Sequence, residues 1–317
     1  MGRYLARRLL QAVPVLLGVT IITFGMMVAA PGDPIRLLVS PEQLGYADVN
    51  VLRAELGLDR PLPLQFIAII RDLAAGKLRS FRERRPVTEM VGEALVPTVI
   101  LAALAIALAV GLSLPIALAS ALRPYSLIDH GVTVFSLLGI SVPGFWFALV
   151  LIFSLTDRLG WLPASGIRPV GTPGYPFGEI WPHLIMPTAV LCLSIVPFLV
   201  RYARSSMLET LTQEFVLVAR SKGLRESRVM LRHVLRNSLI PVVTIIGLLI
   251  PFLLSGSVIV ETIFAIPGVG RLAVQGALSR DYPVVMTMTV LAAALVIVSN
   301  VLTDASYAML DPRIRYD

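Results

Sequence analysis

The sequence is poor in the residues that build disulfides, metal sites and phosphate-binding loops. Its 317 residues include one cysteine, Cys192, two lysines, Lys77 and Lys222, and three histidines. One cysteine cannot form a disulfide within the chain, and the histidines are too scattered to predict a metal site. Neither lysine belongs to a Gly-x-x-x-x-Gly-Lys-[Ser/Thr] loop. We therefore expect no metal, cofactor or catalytic residue here, and the chain is not predicted to hydrolyse ATP itself.

Charge is also absent from six long stretches of the sequence. Hydrophobic residues make up 56% of the chain, and the mean hydropathy is +0.82. Each stretch is 21–29 residues long, and a helix needs about 20 apolar residues to cross a bilayer. This pattern excludes a soluble enzyme and predicts an all-α integral membrane protein with six transmembrane helices. The uncharged runs are 9–32, 94–122, 130–156, 180–200, 237–260 and 282–303.

Asp, Glu, Lys and Arg are missing from the interior of every predicted span. Asp, Glu, Lys and Arg within a membrane usually mark proton relays, ion-coupled carriers and voltage sensors. Their absence argues against a proton-driven carrier and a voltage sensor, although a sodium-coupled carrier stays open. If transport through this chain is powered, the energy is expected to come from another subunit.

The net charge of +7 lies on one side of the predicted membrane. With six spans, residues 1–8, 123–129, 201–236 and 304–317 share a side that holds 14 basic and 7 acidic residues, whereas the opposite side holds 13 of each. Basic loops favour the cytoplasm, so both termini are predicted to be cytoplasmic. Nucleic-acid binding is the weaker explanation of the charge, because no stacking aromatic side chains alternate with the basic residues.

The uncharged runs divide the chain into a membrane core and one larger outer segment. Residues 1–30 are predicted to form a cytoplasmic tip and a retained first span, because this run is too long for the hydrophobic region of a signal peptide. Residues 31–93 form the outer segment, and residues 94–306 form a five-helix core with an inner loop at 205–236. Residues 307–317 are predicted to form a cytoplasmic tail.

Two local patterns refine this organisation. Ser141-Val-Pro-Gly-Phe-Trp146 lies inside the third run, where its proline and glycine predict a kink or a break in the span. In the outer segment, residues 64–73 predict a short helix that lies on the membrane.

The inner loop, 205–236, is the segment that says most about function. Apolar residues recur at helical spacing on both sides of Gly223, which predicts two short amphipathic helices separated by that glycine. Glu226 begins the second helix, where the helix dipole favours an acid. Eight basic residues cluster here when Arg201 and Arg204 are counted.

Three interpretations of the inner loop are open at this point. The first is a solvated helical hairpin whose arginines face anionic lipid headgroups. The second is the gating loop of a channel. The third is a docking helix for a soluble motor subunit. Gly223 favours the third, because a missing side chain lets two helices meet at a sharp, close-packed angle.

Several motifs resemble those of permeases of ABC importers. The inner loop contains Ala219-Arg-Ser-Lys-Gly-Leu224, followed by Leu231-Arg-His-Val-Leu-Arg-Asn-Ser-Leu-Ile-Pro241. The pattern is most similar to the dipeptide/oligopeptide permease B family, and the resemblance covers nearly the whole chain. Further motifs in the family's order are Tyr4-Leu-Ala-Arg-Arg-Leu-Leu-Gln-Ala-Val-Pro-Val-Leu-Leu-Gly18, Ala30-Pro-Gly-Asp-Pro34, Leu56-Gly-Leu-Asp-Arg-Pro-Leu-Pro63, Glu261-Thr-Ile-Phe-Ala-Ile-Pro-Gly-Val-Gly-Arg271, Arg280-Asp-Tyr-Pro-Val284 and Asp311-Pro-Arg-Ile-Arg315.

The chain departs from the family pattern in two places. Alignment on Gly223 puts Leu217 and Val218 where the general permease motif has Glu and Ala, and the later proline is Pro241, further along the chain than the motif has it. In the outer segment, Gly76-Lys-Leu-Arg79 stands where the family often shows Gly-Asp-Leu-Gly.

The resemblance implies a type I ABC importer fold and a defined set of partners. It implies a heterodimer with a second, related permease, two cytoplasmic ATPases that bind ATP and magnesium, and an extracytoplasmic binding protein that delivers substrate. The implied cargo is di- or oligopeptides, with nickel chelates, glutathione and opines as alternatives, and the implied location is the plasma membrane of a bacterium or archaeon. A self-sufficient channel or secondary carrier, and a structural scaffold, are the competing interpretations.

The resemblance also suggests which residues act. Contact with the ATPases is predicted for Ala219, Arg220, Lys222 and Gly223, followed by Glu214 and Glu226. The substrate path is expected at the dimer interface, along the third, fourth and fifth spans. Its candidates, for which packing and local backbone bonding are the alternative role, are Ser141, Pro143, Ser194, Ser255 and Ser257. Ile266-Pro-Gly-Val-Gly270 is expected either to form an outer gate or touch the binding protein, or to be a plain turn.

Overall fold

Helices make up most of the protein that the structure describes. A computed structural model describes residues 2–33, 35, 49–169, 171–254 and 258–310. These residues form no strand, only an isolated antiparallel bridge between Arg79 and Pro86, so the all-α prediction is confirmed for them. The helices are α1 (Gly2–Ala29), α2 (Val49–Glu55), α3 (Leu62–Ala74), α4 (Val87–Leu122), α5 (Leu127–Ser141), α6 (Gly144–Leu151), α7 (Phe177–Leu211), α8 (Glu214–Ser221), α9 (Glu226–Arg228), α10 (Arg236–Leu254), α11 (Val258–Ile263), α12 (Val269–Leu278) and α13 (Tyr282–Leu310), with π-helical segments at Ile152–Arg158 and Val229–Leu235.

Five described helical segments are long and apolar enough to cross a membrane, and a bent pair of helices raises the number to as many as six. An integral membrane protein with several spans is therefore confirmed. Six spans, and the cytoplasmic location of both termini, stay predictions. The five segments are Leu10–Ala29, Val87–Leu122, Phe177–Leu211, Glu226–Pro251 and Tyr282–Asp304, and the bent pair is Leu127–Ser141 with Gly144–Arg158.

The bent pair contains the predicted break in the third run. α5 ends at Ser141, Val142 has the extended backbone (ψ 118°) that a following proline favours, and α6 starts directly after Pro143. The two halves meet at 93°. The break at Ser141–Trp146 is thus confirmed, and it is a right-angle turn of the chain.

α7 is the central helix of the bundle. In α7, 67% of the most apolar stretch is buried, compared with 22–28% in the other four candidate spans. α4 packs closely on α7 because its contact residues are small, with Ala105, Ala109 and Ala117 fully buried. The Cys192 thiol lies in this contact, 3.5 Å from the carbonyl oxygen of Ala105, so the cysteine acts as a small packing residue.

The inner loop differs from its prediction in one respect. α8 confirms the first short amphipathic helix. The second is not a separate helix, because α9, the π-helical segment Val229–Leu235 and α10 follow one another without a break. The fifth span therefore extends into the inner loop, and only residues 222–225 separate it from α8.

The outer segment packs on the ends of two spans. α3 confirms the helix predicted over 64–73, although its position on a membrane stays a prediction. Its Phe66 ring lies 5.4 Å from the Phe24 ring of α1, and the helix also contacts α13. The domain boundaries at 30, 93 and 306 remain predictions, and α4 already begins at Val87.

Candidate functional site

The short helix α8 presents apolar side chains to its surroundings. Val216 and Ala219 point inward and are 0% and 5% exposed. On the other side, Phe215, Leu217 and Val218 are 41%, 54% and 52% exposed. Three apolar side chains side by side, in a loop whose other exposed residues are mostly polar or charged, are typical of a surface that another protein covers.

Gly223 ends α8 in a Schellman motif. The N–H of Leu224 donates to the carbonyl of Ala219 (3.4 Å), and the N–H of Gly223 donates to the carbonyl of Arg220 (2.9 Å). Gly223 has φ +72°, and nothing lies within 4 Å of the position that a Cβ would take. The prediction that this glycine permits close helix packing is therefore wrong: glycine is favoured here by its left-handed backbone conformation.

Substitutions of Gly223 can test whether the exposed face of α8 is a docking surface. Both Gly223→Ala and Gly223→Trp should lose about 1–2 kcal/mol through the positive φ, and both should fold because the space around Gly223 is open. We expect the tryptophan variant alone to uncouple transport from ATP hydrolysis, since only it adds bulk beside α8. Equal transport rates of the two variants, measured in vesicles with the complete transporter, would contradict the assignment of this surface.

An ion pair bridges the turn after α8. The Nη2 of Arg220 donates to the Oε1 of Glu226 (2.6 Å), and its Nε donates to the Oε2 (3.2 Å). These bonds hold the pKa of Arg220 above its ordinary value. Both side chains are about half exposed (40% and 53%), so the pair adds little stability.

The structure places the six predicted ATPase-contact residues on α8, its turn and the start of α9. Glu214, Arg220, Lys222, Gly223 and Glu226 are exposed. Ala219 is buried in the same core as Val229 and Val234, so it supports α8 from below and does not present a surface. The contact role of all six stays a prediction.

A buried ion pair joins three spans on the same side as α8. Asp129, at the start of α5, accepts hydrogen bonds from the Nε and Nη2 of Arg204 on α7 (2.6 and 2.7 Å). It also accepts from the hydroxyl of Ser120 on α4 (2.5 Å) and the N–H of Tyr125 (2.8 Å). The Asp129 side chain is 5% exposed, so four donors satisfy a carboxylate that is almost fully removed from solvent.

A second buried carboxylate organises the opposite side of the bundle. Glu261 on α11 is 0% exposed and accepts hydrogen bonds from the hydroxyl of Thr98 on α4 (2.7 Å) and the N–H of Arg271 on α12 (3.0 Å). The Thr98 hydroxyl in turn accepts from the N–H of Val269 (2.9 Å). The segment Ile266-Pro-Gly-Val-Gly270 lies against the Glu261 carboxylate and leads into α12. Whether it acts as a gate, as a contact for the binding protein or only as a turn stays a prediction.

Gly268 in this turn has no room for a side chain. A Cβ there would lie 2.4 Å from the carboxyl carbon of Glu261. We expect Gly268→Ala to cost about 3 kcal/mol, at the upper end for overpacking, because the carboxylate is held by three elements and cannot move away. Gly92→Ala is the matched control, since nothing lies within 4 Å of its Cβ position on α4. Thermal unfolding in detergent compares the two, and equal midpoints would contradict the prediction.

The candidates for a substrate path lie partly together. Ser194 on α7 and the break after Pro143 are neighbours, because a Cβ on Gly144 would lie 3.6 Å from the Ser194 hydroxyl. The hydroxyls of Ser141 and Ser194 each donate to the backbone carbonyl one helical turn earlier, as the alternative role expects. Ser255 and Ser257 lie outside the described residues. The transport role of all five stays a prediction.

Ser194 also opens onto a groove between α7 and α10. The groove has a volume of about 700 Å³ and is mainly apolar, with hydroxyl groups from Ser194, Tyr202 and Thr244. Ligand-binding clefts are typically mainly apolar, with a few polar groups that orient the ligand. The remaining lining residues are Ile195, Phe198, Pro241, Ile245, Leu248 and Leu249.

Comparison with known proteins identifies the family. The model of the binding-protein-dependent transport system inner membrane component matches residues 111–316, and the N-terminal model of the same system's membrane component matches residues 1–102. The chain belongs to this permease family. The resemblance noted in the sequence is thereby confirmed for almost the entire chain.

Individual relatives of this permease are named as transport proteins. The chain is 43% identical over 318 residues to the oligopeptide transport system permease protein AppB of Bacillus subtilis (strain 168), with 100% of both chains covered. It is 39% identical to a protein named as a peptide permease in Brucella suis biovar 1 (strain 1330), with 99% of both covered. A crystal structure of an amino acid ABC transporter with histidines aligns at 17% identity with a TM-score of 0.49, over 72% of this chain and 95% of that one.

Sequence reasoning missed the buried carboxylates of Asp129 and Glu261 in the permease. Asp129 and Glu261 each flank an uncharged run, so they were counted with the loops. A signal for Asp129 was available, because Ser126 precedes it by three residues and its hydroxyl accepts the Asp129 N–H at the start of α5. The partner Arg204 lies 75 residues away, and no local pattern predicts that contact.

Proposed function

We propose that this chain is the permease subunit of an ABC importer that takes di- or oligopeptides into the cell. The observation that carries the proposal is the exposed apolar face of α8, formed by Phe215, Leu217 and Val218. A membrane protein of this family that transported alone would have no use for such a surface outside its spans. Covering it with a soluble ATPase removes the apolar area from water.

Peptides are the cargo that the relatives' names support. The relatives at 43% and 39% identity are named for oligopeptide and peptide transport, and the match extends over the full chain. The α7–α10 groove suits peptides, because its few hydroxyl groups are set among apolar walls that tolerate varied side chains. Nickel chelates, glutathione or another small solute are the alternative cargo of the same machinery.

The proposal includes the partners that this chain needs. It pairs with a second, related permease to enclose the substrate path. Two cytoplasmic ATPases hold ATP and magnesium, so the chain itself contributes neither a cofactor nor catalysis. An extracytoplasmic binding protein delivers the peptide. The assembly lies in the plasma membrane of a bacterium or archaeon, with both termini in the cytoplasm.

The connections of α8 suggest how ATP drives transport. α8 follows α7 after a two-residue turn, and the helix that begins at Glu226 continues to Leu254. Closure of the ATPase pair moves α8, and these helices carry the movement into the fourth and fifth spans as rigid levers. The Asp129–Arg204 pair makes α5 and α7 move together. The bundle then alternates between inward-open and outward-open forms by rigid-body rotation.

Co-purification and reconstitution test this function. The chain, solubilised in mild detergent from its native membrane, should bring two ATPases and a second permease with it. In liposomes this complex should hydrolyse ATP faster when a peptide-loaded binding protein is added. A homomer that moves peptide without ATPases would establish a carrier instead. Stimulation by a nickel chelate or glutathione, and not by peptides, would keep the importer and replace its cargo.

A further inference from the structure

The outer segment contains a pocket rich in basic side chains. It has a volume of about 430 Å³ and lies between α2, α3, the turn at 77–84 and the start of α13. Five basic and two acidic side chains line it. These are Arg60, Arg71, Lys77, Arg79 and Arg84, together with Glu55 and Asp72.

Three of the five cations are not neutralised by described residues. Asp72 pairs with Arg71 (2.9 Å), and Glu55 lies 3.8 Å from Arg84. The other three are Arg60, Lys77 and Arg79, and all three are exposed. Within the described part of the chain, no acidic side chain forms an ion pair with any of them. Like charges gathered around one concavity raise the local concentration of anions.

Contacts with two spans put the pocket at the level of the outer membrane surface. Pro283, which lines it, lies in the first turn of the span Tyr282–Asp304. The hydroxyl of Tyr282 donates to the carbonyl of Met27 (3.2 Å) near the outer end of α1. Phe66 of α3 packs on Phe24 of the same helix. The pocket is therefore beside the ends of two spans, where lipid headgroups lie.

The neighbouring surface is apolar and peripheral. Only 22% of the apolar stretch is buried in each of α1 and α13. On α3, Leu64 and Ile67 are 54% and 60% exposed, and Arg71 follows on the same face. An apolar stripe that ends in a basic residue is typical of a helix at a membrane interface. This arrangement favours lipid over a soluble anion as the occupant.

We infer that this pocket binds the phosphate of an anionic phospholipid from the outer leaflet. Arg60, Lys77 and Arg79 hold the phosphate, and the acyl chains follow the exposed sides of α1 and α3. Two of these cations, Lys77 and Arg79, stand where the family pattern shows aspartate and glycine. The lipid site is thus a feature of this chain that the family pattern does not carry, and it is independent of the proposed transport function.

Native mass spectrometry of the full-length chain tests the site. The protein in detergent is titrated with phosphatidylglycerol, with phosphatidylcholine as the neutral comparison. We expect one phosphatidylglycerol to bind preferentially, and the Lys77→Gln/Arg79→Gln variant to bind it about twentyfold more weakly, because each basic group near a headgroup contributes separately. Arg82→Gln/Arg158→Gln is the matched control: it removes the same charge from two exposed residues that do not line the pocket.

Three results would overturn the lipid assignment. One is equal loss of binding in the control variant, which would indicate attraction by net charge alone. Another is complete displacement of the lipid by millimolar inorganic phosphate, which would make the ligand a free anion. The third is equal binding of phosphatidylglycerol and phosphatidylcholine, which would show that the pocket does not select an anionic headgroup. Binding that survives phosphate and is lost only in the pocket variant supports the proposal.

Discussion

Replacing Leu217 by aspartate is expected to abolish ATP-driven transport while the permease still folds. Leu217 is 54% exposed, and substitutions at such positions usually change stability by less than about 0.5 kcal/mol. If Leu217 is buried in an interface with an ATPase, the same substitution should change the binding free energy by much more. Burying a leucine side chain contributes about 2 kcal/mol, and an aspartate there would have to lose its hydration without a partner. We expect the affinity for the ATPases to fall at least about thirtyfold.

Leu127→Asp provides the matched control for this experiment. Leu127 is 93% exposed at the start of α5, on the same predicted side of the membrane as α8, but it does not belong to the apolar face of α8. Both variants are purified with their partners, and the ATPase bound per permease is measured along with peptide uptake. Loss of the ATPases in both variants, or in neither, would show that α8 is not the docking helix.

The apolar face of α8 also explains the chain's departure from the general permease motif. Leu217 and Val218 stand where the motif has Glu and Ala, and the structure exposes both. The partner ATPase is therefore expected to present an apolar groove at this point. A partner adapted to glutamate at this position would have a polar group buried against leucine, which is unfavourable. If α8 is the docking helix, we expect this difference to help the permease select its own ATPase.

The membrane architecture was predictable because it depends on composition over long windows. Runs of 21–29 uncharged residues leave few alternatives to spanning helices, since backbone groups in lipid must be satisfied within the segment. The break after Ser141 was predictable as well, because proline removes a donor and restricts the residue before it. Both are local effects, and the sequence shows them directly.

The contacts that hold the bundle together were not predictable, because they join distant residues. Thr98 and Glu261 are 163 residues apart, and each looks ordinary in its own segment. Gly223 shows a related limit. The sequence indicated that glycine matters there, but a positive φ and a close packing contact both require glycine. Only the structure separates the two reasons.

The Asp129–Arg204 pair is expected to contribute most to the stability of the bundle. Removing one partner of a buried ion pair costs about 3–5 kcal/mol. Arg204 retains 26% exposure, so we expect Asp129→Ala to cost about 3 kcal/mol. The loss arises because the Arg204 guanidinium and the Ser120 hydroxyl would be left without their acceptor. Thermal unfolding of the purified permease in detergent measures the effect.

Two further variants separate this pair from ordinary charge effects. Asp129→Ala combined with Arg204→Met should recover at least half of the lost stability, because the unpaired cation is gone and an apolar side chain fills the space. Glu226→Gln breaks the other bidentate pair, with Arg220, whose side chains are 40% and 53% exposed. It should cost no more than about 1 kcal/mol. If Glu226→Gln destabilised the bundle as much as Asp129→Ala, burial would not be what distinguishes the two pairs. The expectation that Asp129 stabilises the bundle by joining the second, third and fourth spans would then be wrong.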